Sequence, residues 1–279
     1  MTNNAQQHDF DGLDEVQYEE ESGTQGYPRI YWFNGEKKSQ KGGHFYTSEA
    51  EFPQGLGEPW QSVSWFKDGD GYTTDSLSIV PIRKRYQAYF ETTEGTRKIK
   101  TWLPAGKYET GARIYTEILC IMQGYDGLVI LAVKGLTGKA LTNKTSGVFA
   151  TMRDTVFATT KETLKKGVKL PPFAFWTPIT TGRDAKGRVI YTDTGHGSTV
   201  TLPVCDIKGD VTRETAKALY VGRDLLMQLG EWYAEHAEWR TTYRTNDAPL
   251  QGADVPATPP PPAKNAPKPI EADDEEFWQ

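Results

Sequence analysis

The stretch ARIYTEILCIMQGYDGLVILAVK, residues 112–134, decides the architecture. Two runs rich in β-branched and aromatic side chains, Ala112–Gln123 and Leu128–Lys134, flank Gly124-Tyr125-Asp126-Gly127. Glycine at both ends of so short a connection supplies the backbone freedom that a hairpin loop needs, so the two runs are expected to pair. Upstream, the same enrichment marks candidate strands at Arg29–Phe33, His44–Thr47, Val63–Phe66, Ser76–Phe90 (with Pro81 as a candidate break) and Lys98–Leu103.

Downstream, Thr142–Lys166 reads as a helix, since Phe149, Met152, Val156, Thr160 and Leu164 recur every three or four residues. Lys161, Lys165 and Lys166 lie near its C-terminal end, where the helix dipole favours cations, and Gly167 stops it. Strands resume at Phe173–Thr181, Arg188–Asp193 and Ser198–Val204. A long helix is expected over Asp210–Tyr243, with Asp210 or Thr212 as its cap and Leu219, Leu226, Leu229 and Tyr233 on one stripe.

Three strands, one helix and two further strands is the order of an OB-fold barrel. The expected fold is mainly β (α+β): an OB-like five-stranded barrel with a helix between its third and fourth strands, an elaborating β region over 29–90 and the long C-terminal helix.

A chain of 279 residues with a mean hydropathy of −0.62 and 12% aromatics suggests a real core flanked by polar segments that do not fold. The charge supports that division. Residues 1–26 hold seven acidic and no basic residues, and 247–279 hold seven acidic and two basic, so the overall −5 hides a body of +7 between acidic ends. Four segments are therefore expected: an acidic arm (1–26), an OB-like body (27–246), a Pro-rich linker (247–270) and an acidic, aromatic-tipped tail (271–279). Eight of the seventeen prolines fall in 249–269, which makes the linker an extended spacer reaching on the order of 60 Å. The tail carries Asp273, Asp274, Glu275 and Glu276 and then Phe277 and Trp278, exposed rings that read as a peptide for capture by a partner.

The longest apolar run, Leu128–Val133, is far below the roughly 20 residues that span a bilayer, and the N-terminus lacks the parts of a signal peptide, so a cytoplasmic protein with no membrane partner is expected. Cys120 and Cys205 read as reduced core residues. His8, His44, His196 and His236 have no metal-ligand spacing, and Gly135-Leu136-Thr137-Gly138-Lys139-Ala140 has two residues between its glycines where a phosphate loop has four. No GxSxG or HExxH occurs. No cofactor, metal or catalytic activity is expected.

What the chain does carry is aromatic residues interleaved with basic ones: Trp65 and Lys67; Arg83, Lys84, Arg85, Tyr86 and Tyr89; Lys98, Lys100 and Trp102; and Arg183, Lys186, Arg188 and Tyr191. Proteins that hold single strands use this pairing, because cations track phosphates while ring faces stack on bases. Strand alternation puts Lys98, Lys100 and Trp102 on one face, a candidate stacking platform.

The barrel pattern over roughly 98–206, the Pro-rich spacer and the terminus EADDEEFWQ together resemble the bacteriophage and bacterial single-stranded DNA-binding proteins. The resemblance implies a non-catalytic protein that coats single-stranded DNA in replication, recombination or repair. It also implies that residues 271–279 recruit replication and recombination proteins and compete with DNA for the groove. The tip Phe277-Trp278-Gln279 departs from the bacterial Pro-Phe ending, and with the second acidic arm it points toward a phage-type relative. Self-association fits the long helix. The alternative is a β-rich structural or interaction module, for instance a phage protein, that binds protein or glycan.

Overall fold

The computed structural model describes residues 27–239, apart from 36, 38–39, 67–68, 95–96, 105, 164–170, 172, 195–197 and 208–209. The acidic arm, the linker and the tail lie outside the described residues. The fold is mainly β, a large mixed sheet with four helices among the described residues.

The described residues form twelve strands: β1 (Arg29–Phe33), β2 (His44–Ser48), β3 (Gln61–Phe66), β4 (Gly69–Thr74), β5 (Ser76–Glu94), β6 (Arg97–Trp102), β7 (Arg113–Met122), β8 (Leu128–Lys134), β9 (Thr177–Thr181), β10 (Tyr191–Asp193), β11 (Thr199–Thr201) and β12 (Pro203–Cys205). Ten of them form one sheet in the order β12-β9-β5-β7-β8-β1-β2-β4-β3, with β6 also on β5, while β10 and β11 pair apart. The expected hairpin is there: β7 and β8 pair antiparallel from Ile121↔Leu128 to Tyr115↔Lys134. β1 joins β8 in parallel, Arg29 opposite Ile130.

Both faces of the sheet are covered, which explains why β7 and β8 read as continuous apolar runs. One face buries Ile30, Phe45, Ile79, Ile118 and Leu131 against Leu141 and Val148. Those two residues belong to helices α1 (Gly135–Thr142) and α2 (Val148–Thr163). The other face buries Tyr31, Tyr46, Tyr115, Leu119 and Ile130, packed with Phe173, Phe175, Leu226 and Leu229. Leu226 and Leu229 come from α4 (Arg223–Glu235), which follows α3 (Arg213–Leu219).

The pairing departs from the expected barrel order. The expected first strand, β6, pairs with β5 and not with β7, and the expected last, β10, pairs only with β11. The cause is β5, nineteen residues long, which holds β7 on one side and has β9 and β6 at opposite ends of the other. The ladder ends at β12 and β3 without closing. Pro81 does not break β5: a register shift between Pro81 and Arg83 absorbs the missing donor.

Neither long helix is continuous. Asn143 Oδ1 accepts the backbone N–H of Thr145 and Ser146, a local turn that separates α1 from α2. The helix expected over 142–166 is therefore α2, which starts later, at Val148, with α1 a separate helix before it, and its expected end at 164–166 lies outside the described residues. Further on, Trp176 N–H donates to Leu219 O at 2.8 Å and Val221 N–H to Ala174 O at 3.1 Å. This pairing with residues 174–176 outcompetes a helical turn, and Gly222 at φ +83° turns the chain into α4. Of the two candidate caps Thr212 is the one used, accepting from Thr215 N–H.

Candidate nucleic-acid interface

β6 pairs with β5, placing Trp102 opposite Tyr89 and Lys100 opposite Glu91. Cross-strand partners share a face, and on β7 the same face carries Arg113 and Tyr115. The half-buried Trp102 ring lies 5.1 Å from Tyr89 and 5.5 Å from Tyr115, the latter edge-on. Lys100 Nζ stands 5.8 Å and 5.9 Å from the centroids of these two rings, within the range of cation–π attraction. Tyr89 and Tyr115 are buried, so Trp102 is the ring of this cluster that offers a surface. Arg113 lies on the same face and is largely exposed, its Nη1 donating to Glu91 Oε1 at 2.9 Å. It was missed in the sequence, although its place two residues before Tyr115 on a strand was the signal.

The other predicted residues separate. In Arg83-Lys84-Arg85-Tyr86, alternation sends the arginines to one face and Lys84 and Tyr86 to the other. Lys84 and Tyr86 are exposed, Nζ 5.8 Å from the ring. Arg83 turns under α4, where its guanidinium sits 3.4 Å above the Tyr233 ring and Nη2 donates to the Tyr233 carbonyl. Arg85 is buried: Nε donates to Glu117 Oε2 and the guanidinium lies 4.2 Å over the Trp239 ring. Arg85 therefore leaves the set of candidate DNA contacts, because its charge is used inside the fold.

Arg183, Lys186, Arg188 and Tyr191 belong to a separate turn. Arg188 Nη2 is 2.7 Å from Asp184 Oδ2, and these contacts hold the Asp184 carboxyl below its ordinary pKa. Arg183 and Lys186 are exposed, and Tyr191 O–H donates to Lys41 O at 3.0 Å. Lys67 lies outside the described residues, as do the side chains of Trp65 and Lys98, whose backbones sit in β3 and β6. The tail residues Asp273, Asp274, Glu275, Glu276, Phe277 and Trp278 are likewise outside.

Among the described residues no group of three or more His, Cys, Asp and Glu is placed to hold a metal. The glycine-containing run at 135–140 is helix α1, with Gly138 so close to Thr116 that a Cβ there would meet Thr116 Oγ1 at 2.4 Å. Cys120 is fully buried, which pushes its thiol up to about 12, and half-buried Cys205 is pushed up to about 11. Neither is disulfide-bonded. No described helix is long and apolar enough to cross a membrane.

No family model matches the chain, and neither does any curated protein or solved structure.

Proposed function

We propose that the protein binds single-stranded DNA without catalysing a reaction, coats it during replication, recombination or repair, and recruits partner proteins through residues 271–279. The observation that carries this reading is the cluster on β6 and its neighbours: half-buried Trp102 backed by two buried tyrosines, with Lys100 near both rings and Arg113 on the same face. A ring held rigid from behind can stack on a base, and the cations beside it can meet the phosphates on either side. The +7 body supports the same reading, since a polyanion partner gains from it. A five-stranded OB barrel is not required, because β6 lies off the main strand order and carries the cluster where it pairs with β5.

The test is titration of full-length protein into fluorescein-labelled oligo-dT at two salt concentrations, with duplex as competitor. Expected is binding that duplex does not displace and that weakens with salt at a log–log slope of about −0.7 per phosphate contacted. A protein or glycan module would show no binding, with or without residues 247–279, and that result overturns the proposal.

A further inference from the structure

At the far end of β7 from Arg113, a cleft of about 970 Å³ opens between the β7–β8 loop, residues 51–55, Trp176 and α4. Four rings line it: Phe52, Tyr125, Trp176 and Trp232. Phe52 and Tyr125 meet edge-on, centroids 5.1 Å apart, and Phe52 is buried while the other three are half-buried and keep surface open to a guest. The polar lining includes two exposed amides, Gln54 and Gln228, each able to donate and to accept. Asp126 is exposed in the loop, and its carboxylate takes no hydrogen bond or ion pair among the described residues. Glu51, the other carboxylate of the lining, is engaged, its Oε2 accepting the Arg29 backbone N–H at 3.1 Å.

The rings ask for a guest with flat apolar faces, and the amides and the carboxylate ask for one whose edge carries donors and acceptors. Both are features of a nucleobase, and the cleft has the size of a small-molecule site. A purely apolar guest would strip water from the polar side chains and return nothing to them. The carboxylate narrows the choice, because it accepts hydrogen bonds and donates none. Guanine sets two N–H donors side by side, N1–H and the 2-amino group, which match the two oxygens of one carboxylate, and it leaves O6 and N7 as acceptors for amide N–H groups. Adenine and cytosine place an unprotonated ring nitrogen beside the amino group, and thymine flanks its one N–H with carbonyls, so each would turn a lone pair toward the carboxylate. We infer that this cleft binds a guanine nucleoside, the base against the rings and N1–H and the 2-amino group donating to Asp126, separately from the strand proposed at Trp102.

The probe is guanosine, measured by equilibrium dialysis against the full-length protein beside inosine, which differs only in lacking the 2-amino group. Guanosine is expected to bind roughly tenfold more tightly than inosine, the worth of one hydrogen bond to a charged acceptor. Asp126→Asn exchanges one acceptor oxygen for a donor, and it should bring guanosine down to the level of inosine while leaving oligo-dT affinity and the melting temperature unchanged. Saturating oligo-dT should not displace guanosine. Absence of guanosine binding, equal binding of guanosine and inosine, or indifference to Asp126→Asn would overturn the inference, and none of these outcomes bears on the DNA reading. Displacement by oligo-dT would overturn it too, by moving guanosine to the Trp102 surface.

Discussion

Arg85 Nε donates to Glu117 Oε2 at 2.5 Å with both side chains almost wholly buried. The second oxygen, Oε1, takes Arg29 Nη1 at 2.6 Å, so one carboxylate holds two guanidinium groups inside the sheet's packed face. Replacing Glu117 with Gln removes the charge that both guanidinium groups share and is expected to cost about 3–5 kcal/mol in urea unfolding. A loss under about 1 kcal/mol would mean that solvent reaches the arginines.

Trp102 is part of the packing as well as the candidate surface, so its truncation to Ala would mix two effects. Trp102→Leu keeps an apolar body against Tyr89 and Tyr115 while removing the ring face. It is expected to weaken oligo-dT binding by about 1–3 kcal/mol. Lys100→Ala should lower the salt slope by roughly one phosphate's share, about 0.7. Unchanged affinity and slope in both variants, with melting temperatures near wild type, would move the interface elsewhere.

Deleting residues 247–279 removes seven acidic and two basic residues. If this −5 segment competes for the basic body, the truncated protein binds oligo-dT more tightly at low salt, and the gain fades as salt screens the competition. Fluorescence titration of the two proteins side by side decides the matter, equal or weaker binding by the shorter one being the contrary result.

His44 stacks on Phe33, ring centroids 5.5 Å apart, and burial lowers its pKa. The folded protein therefore resists protonating a group that the unfolded chain protonates near pH 6.5. Stability is complete above that value and falls as the pH drops below it, because the unfolded state takes up the proton first. His44→Gln is expected to flatten the decline in unfolding free energy between about pH 7 and 5. An unchanged slope would assign the acid sensitivity to other groups.

The fold was legible where local chemistry and tertiary packing agree. The β7–β8 hairpin, β1 and β2 stand close to where β-branched runs and turn glycines put them. β4 was invisible because its Gly-Asp-Gly start reads as a turn, yet Gly71 is required there: a Cβ would meet Thr47 O at 2.6 Å. The two continuous helices failed for the opposite reason. Their periodicity is real, but the Asn143 turn and the 174–176 pairing are contests that periodicity does not register. In the candidate site, alternation correctly grouped Lys100 with Trp102. It could not tell that Arg85 would find Glu117, thirty-two positions along the chain, and be drawn inside.

The parallel contact between β1 and β8 carries a consequence for biogenesis. Arg29 and Ile130 are about a hundred positions apart, and no strand between them can substitute for the missing neighbour on that side of β1. Translation at ~5–20 residues per second leaves the nascent β1–β2 hairpin with an unclaimed edge for roughly 5–20 s. The apolar Ile30 and Tyr31 wait through that interval for a strand the ribosome has yet to deliver.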